Sequence, residues 1–401
     1  MSFRRIWSCL VFCALFLPFP VFGTADDTAG DPENAGLITK VKGIIRDLTE
    51  DPVVRVCSDE WIGLTAGFGY RQFPLFPGAE TLIWFTIGGD LSTAGYYRYP
   101  DGMEYTGGDY FVDPSEDPFY TQVNLHWAAG FSQGILWSER TKKNLLEAYL
   151  FYRIHIDLPL MQAPSSKLFY RAGLPEADGR LLTYFVAGVN YDSVYRRAGS
   201  RVRQGVRLDL GGSWAPDYPL NRSDGIINYY GFHGDLRLFV PFGEIVSKKN
   251  KNIFSVYYGF WLRGDYVFGP HIPLAVRQHF SGRYWKKGLG GEGVRGVDTS
   301  RFPAPFKAAV SNELRFHLPA LGHPALLPGM VLFFDAGYYR FPESAVLEGP
   351  DAGVLLSTGG GVFFDLFGLG EVAFYAEYFI NGTKVDGTKF TPFEFFFGLH
   401  F

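Results

Sequence analysis

The chain closes on Phe393-Glu394-Phe395-Phe396-Phe397-Gly398-Leu399-His400-Phe401. In an extended conformation Phe393, Phe395, Phe397, Leu399 and Phe401 share one face, and Glu394, Phe396, Gly398 and His400 share the other. A period of two over about ten residues is the length of one tilted strand crossing a bilayer with its apolar side chains outward. A soluble sandwich carrying so many rings on an edge strand would template its own aggregation. The run therefore predicts the last strand of a transmembrane β-barrel, with Gly398 and Phe401 part of a C-terminal signal.

The other end of the chain explains how it would reach a membrane. Arg4 and Arg5 precede the apolar stretch Ile6 to Phe19, and Val21-Phe22-Gly23 offers small residues at a cleavage position. This predicts a secretory signal peptide over 1–23, hence Sec export and location in a bacterial outer membrane. Cys9 and Cys13 lie inside the apolar run with the wrong neighbours for a lipoprotein. Cys57 stands alone after the leader, which leaves no intramolecular disulfide. No later apolar stretch is long enough for a membrane-spanning helix. The formal charge of −4 steers nothing in particular, whereas 18% aromatic residues and 49 glycines suit interfacial girdles, tight strands and turns.

Residues 24–60 differ in kind. Thr24 to Ala35 is acidic and polar, and Ile38, Val41, Ile45 and Leu48 fall at helical spacing, predicting an amphipathic helix in a short periplasmic segment. From Trp61 the period switches to two. Ile62, Leu64, Ala66, Phe68 and Tyr70 form one face and Gly63, Thr65, Gly67, Gly69 and Arg71 the other. Similar runs follow near 81–97, 119–137, 143–158, 181–195, 202–215, 227–241, 252–269, 271–281, 304–318, 329–340, 353–366, 370–381 and 391–401. Turn chemistry separates them, as at Pro100-Asp101-Gly102 and Asp386-Gly387. The expected fold is all-β: one antiparallel transmembrane barrel over 61–401, of about sixteen strands, because single-chain barrels carry even numbers. Counting back from a periplasmic Phe401 places the long connection 282–303 on the outside, and the turn 364–370 in the periplasm.

That long connection contains Gly288-Leu289-Gly290-Gly291-Glu292-Gly293-Val294-Arg295-Gly296-Val297. It lacks the strand, helix and lysine of a phosphate cradle. Further on, Val331-Leu332-Phe333-Phe334-Asp335-Ala336-Gly337 puts Leu332, Phe334, Ala336 and Tyr338 on the lipid side, so Asp335 points into the lumen. A carboxylate buried there needs a cation. Arg295, flanked by Gly293 and Gly296 at a loop turn, can fold inward and meet it with a bidentate fork. Glu313 and Arg315 share the lumen face, so Glu313 is a second partner for Arg295. The competing arrangement pairs Glu313 with Arg315 and leaves Asp335 to water.

These residues resemble a known family. Val294-Arg295-Gly296, Glu313-Leu314-Arg315-Phe316, Phe333-Phe334-Asp335-Ala336-Gly337, Ser357-Thr358-Gly359-Gly360-Gly361 and the aromatic last strand are similar in order and spacing to the barrel of the BamA/TamA family, the bacterial surface antigen type, over about 288–401. The resemblance implies a loop arginine, here Arg295, folded into the lumen onto the acidic residue of the FxDxG strand, here Asp335. Family members place an aromatic where this chain has Val297. They also carry periplasmic POTRA domains of about 75–80 residues, for which 24–60 is too short, so the chain resembles the barrel module alone.

Three classes of function follow. The first is assistance to protein insertion or export, with outer-membrane lipids and unfolded outer-membrane clients as partners, acting as a monomer. Its physics would lie at a weak seam between first and last strands, where Gly63, Gly67 and Gly69 lower pairing strength. The second is a passive or plugged pore. The third, a barrel enzyme, finds no serine–histidine spacing in its support, and the sequence reads as non-enzymatic. No cofactor is implied. His317, His323 and Cys57 have no metal-ligand spacing, and no basic patch suggests nucleic acid.

Overall fold

A computed structural model describes residues 52–58, 63–70, 79–95, 119–159, 180–196, 202–217, 221, 227–246, 252–283, 288–291, 293–297, 302–319, 326–341, 352–366, 370–384 and 387–399. The signal peptide and the helix expected over 38–48 lie outside these residues. The strands are β1 (Pro52–Ser58), β2 (Gly63–Tyr70), β3 (Thr81–Gly95), β4 (Phe119–Ser138), β5 (Lys143–Pro159), β6 (Arg180–Asp192), β7 (Tyr195–Arg196), β8 (Arg203–Ala215), β9 (Asn228–Val246) and β10 (Asn252–His271). After a short helix, α1 (Leu274–Gln278), come β11 (Phe306–His317), β12 (Leu326–Arg340), β13 (Ala352–Leu366), β14 (Gly370–Phe379) and β15 (Phe390–Leu399).

These strands form one 15-stranded sheet in which sequence neighbours are spatial neighbours, and only the two-residue β7 leaves the path, pairing with β8. Pairing is antiparallel throughout the registered pairs, as for β11 with β12 and β14 with β15. Connections alternate in length along the path. Those at 139–142, 247–251 and 367–369 are short; those at 96–118, 160–179 and 272–305 are long and lie at the opposite ends of the strands. No helix among the described residues is long and apolar enough to cross a membrane.

Period-two sequence becomes a two-faced sheet. On β12, Val331, Phe333, Asp335, Gly337 and Tyr339 are buried, while Met330, Leu332, Phe334 and Tyr338 are exposed. Across the sheet the exposed set is apolar (Leu332 at 54%, Phe232 at 61%, Phe393 at 63%), and the buried set includes many ionisable groups. A water-soluble protein sorts its side chains the other way.

The buried face is also the concave one. The Tyr149 hydroxyl on β5 donates to Asp209 on β8 at 2.5 Å and lies 3.0 Å from His233 Nε2 on β9. Arg315 on β11 reaches over two strands to Glu371 on β14 at 2.8 and 2.9 Å. Neighbouring strands lie about 4.8 Å apart, so groups on a flat sheet this far apart would not meet.

Two sequence expectations are corrected. The run 271–281 is not a strand beyond His271, which ends β10: Pro273 lacks a ladder donor, and its carbonyl accepts from Val276 N at 3.1 Å to start α1. Residues 52–58, expected in a periplasmic segment, instead form β1 beside β2; Val53, Val54 and Val56 suit a strand. Among the described residues fourteen strands lie in the path, set against about sixteen expected of the whole chain, and β4 and β10 each run unbroken.

Candidate functional site

The connection 272–305 enters the concave side of the sheet and is held there. His279 follows α1, with Nδ1 2.9 Å from the Ala275 carbonyl. Burial pushes its pKa down to about 3; the Ala275 contact opposes the shift, and the charges of His155, Arg180 and Lys307 add to it. Ser281 then donates its backbone N–H to Asp265 of β10 at 3.2 Å, and the same carboxylate oxygen accepts from Lys307 Nζ at 3.2 Å. Arg283 forms a buried ion pair with Glu147 of β5 and donates its backbone N–H to Asp209 of β8 at 3.3 Å. Its guanidinium lies 5.3 Å from the Trp84 ring centre, adding a cation–π contact.

The loop turns back over 288–297. Gly291 N donates to the Val297 carbonyl at 2.9 Å, closing the turn. Gly293 sits against the Gly288 carbonyl, where a Cβ would collide. Gly296 has φ +79°, and a Cβ there would stand 3.3 Å from Glu377 Cβ; both facts favour glycine. Val294 and Val297 are buried with Leu289, Phe280, Phe302, Tyr339 and Leu355. Phe302 stacks on Tyr339 at 4.6 Å between ring centres. Apolar packing therefore seats the turn, and one charged side chain orients it.

That side chain is Arg295. Nε donates to Asp335 Oδ2 at 2.7 Å and Nη2 to Oδ1 at 2.8 Å, and the Arg295 backbone N–H adds a third bond to Oδ2 at 3.1 Å. Nη1 donates to Glu313 at 2.6 Å and Nη2 to Ser311 Oγ at 2.8 Å, while the Ser311 hydroxyl in turn donates to Asp335 Oδ1 at 2.7 Å. The guanidinium plane covers the Phe333 ring at 3.7 Å. Direct register of Ser311 with Asp335, and of Glu313 with Phe333, puts these acceptors side by side on β11 and β12.

The Glu313–Arg315 pair is present as well, while Asp335 is taken by Arg295. Glu313 also accepts from Arg315 Nε at 2.8 Å, and Arg315 forks onto Glu371. The result is an alternating row, Asp335–Arg295–Glu313–Arg315–Glu371, in which every guanidinium has a carboxylate on each side. Burial alone would lower the Arg295 pKa, but Asp335 and Glu313 outweigh it and hold the group above its ordinary value. Asp335 is fully buried (0% exposed). Removing one partner of such a pair costs about 3–5 kcal/mol, because the other charge stays buried and uncompensated.

The seam residues fall differently. Gly63, Gly67 and Gly69 lie on β2 opposite Gly88, Trp84 and Leu82 of β3. With β1 outside it, β2 is not the terminal strand, which corrects their placement at the seam. Gly398 pairs with Glu371, and Phe401 lies outside the described residues. Sequence reading missed Arg283. Its partners Glu147 and Asp209 were the available signal: two acids at inward positions of period-two strands, each in need of a cation.

Neither a family model nor a curated protein matches the chain. Among solved structures, it is similar to the crystal structure of BamA from Haemophilus ducreyi lacking POTRA domains 1–3, at 13% identity and a TM-score of 0.43, over 94% of this chain and 80% of that one.

Proposed function

We propose that the chain is a monomeric outer-membrane β-barrel of the assembly and translocation superfamily, closed edge to edge, with the connection 272–305 as an extracellular loop folded into its lumen. Its work is to help unfolded outer-membrane proteins insert or cross. The observation that carries this reading is the Arg295–Asp335 fork: a glycine-flanked arginine of the longest connection, buried against a carboxylate of the wall. The two-faced sheet supports the membrane half of the reading, since only hydrocarbon stabilises a surface made of Leu332, Phe232 and Phe393. The seam, on this account, joins β1 to β15, and a weak seam would offer an unpaired edge to an incoming strand.

The test is reconstitution into lipid vesicles with an urea-unfolded outer-membrane barrel as client. Faster client folding than in empty vesicles, lost when β1 and β15 are cross-linked, supports the proposal. No acceleration, together with a steady conductance across a planar bilayer, favours a passive pore instead. The straps at Arg283 and Arg295 argue against a wide resting channel.

A further inference from the structure

The exposed face carries a row of rings running across the strands. Tyr152 on β5, Phe185 on β6, Trp214 on β8, Tyr230 on β9 and Phe268 on β10 are cross-strand partners in sequence. Their ring centres are 5.1, 5.9, 6.5 and 5.7 Å apart in that order. The row lies toward the strand ends that lead into the long connections. Below it the next outward row is low at two adjacent positions, Ala187 and its partner Gly212, between Leu150 on one side and Phe232 on the other. Tall rings beside a low floor leave a groove of about 480 Å³, walled by Phe185, Trp214, Tyr230 and Phe232 and floored by Ala187 and Gly212.

We propose that this groove seats one ester-linked acyl chain of a membrane lipid. The inference rests on the membrane reading above and names a ligand that reading does not. Three features select the occupant. No charged residue lines the groove, so a polar peptide would leave its backbone groups unpaired there. The volume suits a single small ligand and not a folded partner. The third feature is at the rim. Trp214 and Tyr230 are about half exposed, and neither the indole N–H nor the phenol hydroxyl has a hydrogen-bond partner among the described residues. Two donors above an apolar slot match an acyl ester, whose carbonyl accepts while its chain lies below.

The experiment extracts the protein in detergent, washes it to constant lipid content and counts retained lipids by native mass spectrometry. The wild type should keep about one lipid per chain. Ala187→Leu raises the floor from an exposed position and should cut occupancy about tenfold, as overpacking a filled site does. Tyr230→Phe keeps the ring and removes the donor, and should cut it severalfold. Val354→Leu, on the same face but on β13, should leave it unchanged. Identifying the released molecule separates a glycerophospholipid from a polyacylated glycolipid, and either supports the groove. Retention of detergent alone, equal occupancy in the wild type and Ala187→Leu, or a dimer that Ala187→Leu abolishes would overturn it. A chain that stays monomeric in water without detergent would instead defeat the membrane reading itself.

Discussion

Arg283 and Arg295 belong to one loop and are held by separate parts of one sheet, Arg283 by Glu147 on β5 and Arg295 by Asp335 on β12. Strands β6, β8, β9, β10 and β11 lie between those anchors. A loop fixed at both places spans the concave side like a strap. Each anchor is a buried ion pair, and a buried pair adds less to net stability than to the uniqueness of one arrangement. The loop's apolar side chains supply the burial; the two arginines set where they bury.

Arg295→Ala should destabilise the folded chain by about 3–5 kcal/mol, since Asp335 would stay buried without its cation. Arg295→Lys should fall between, keeping a charge and losing the bidentate fork. Adding Asp335→Asn to Arg295→Ala should recover part of the loss by removing the orphaned charge. Denaturant unfolding in detergent, followed by the heat-dependent gel shift, measures all three. Equal stability of the wild type and Arg295→Ala would show that the contact does not hold the loop.

Arg283→Ala should free the first half of the loop while Arg295 keeps the second. Amide exchange should then rise over 279–283 and stay unchanged over 293–297. A joint Arg283→Ala and Arg295→Ala variant should conduct in planar bilayers where each single variant stays largely closed. A closed double variant would mean that apolar packing alone seats the loop.

His279 makes stability depend on pH. Its folded pKa is about 3, whereas an unfolded histidine titrates near 6.5. Between those values the unfolded chain binds the extra proton. The contribution is therefore complete above about pH 6.5 and is lost as pH falls toward 3, by at most about 1.4 kcal/mol per unit. His279→Asn should flatten that slope in urea titrations between about pH 7 and 4.

Charge on the outward face should be costly by depth. Leu332→Arg, near the middle of β12, is expected to cost about 2–4 kcal/mol, and Tyr338→Arg, near the strand's end, about 0–1. On a surface facing water both substitutions would be close to neutral. Unfolding titrations in phospholipid vesicles measure the pair.

Much of this arrangement was legible because a period of two assigns each strand residue to a face. Asp335 could be placed inside from the Leu332, Phe334 and Tyr338 alternation alone, and its need for a cation led to Arg295. The same rule failed at 271–281, where alternating apolar residues imitate a strand but Pro273 starts a short helix just after β10 ends. Residues 52–58 were obscured by grouping them with the polar segment before them, although their valines carried a strand signal. Arg283 has no motif around it. Its partners lie far away in sequence, and only the folded sheet brings Glu147 and Asp209 to one place.

The central claim is that the exposed apolar face meets hydrocarbon. It is tested most directly by nitroxide labels on Leu332→Cys, Phe334→Cys and Tyr338→Cys, with Cys57→Ser as background, in protein reconstituted into bilayers. The account expects relaxation by dissolved oxygen to exceed relaxation by a water-soluble nickel chelate at Leu332 and Phe334, with the difference shrinking at Tyr338. Labels relaxed mainly by the nickel chelate at all three positions would put that face in water and contradict it.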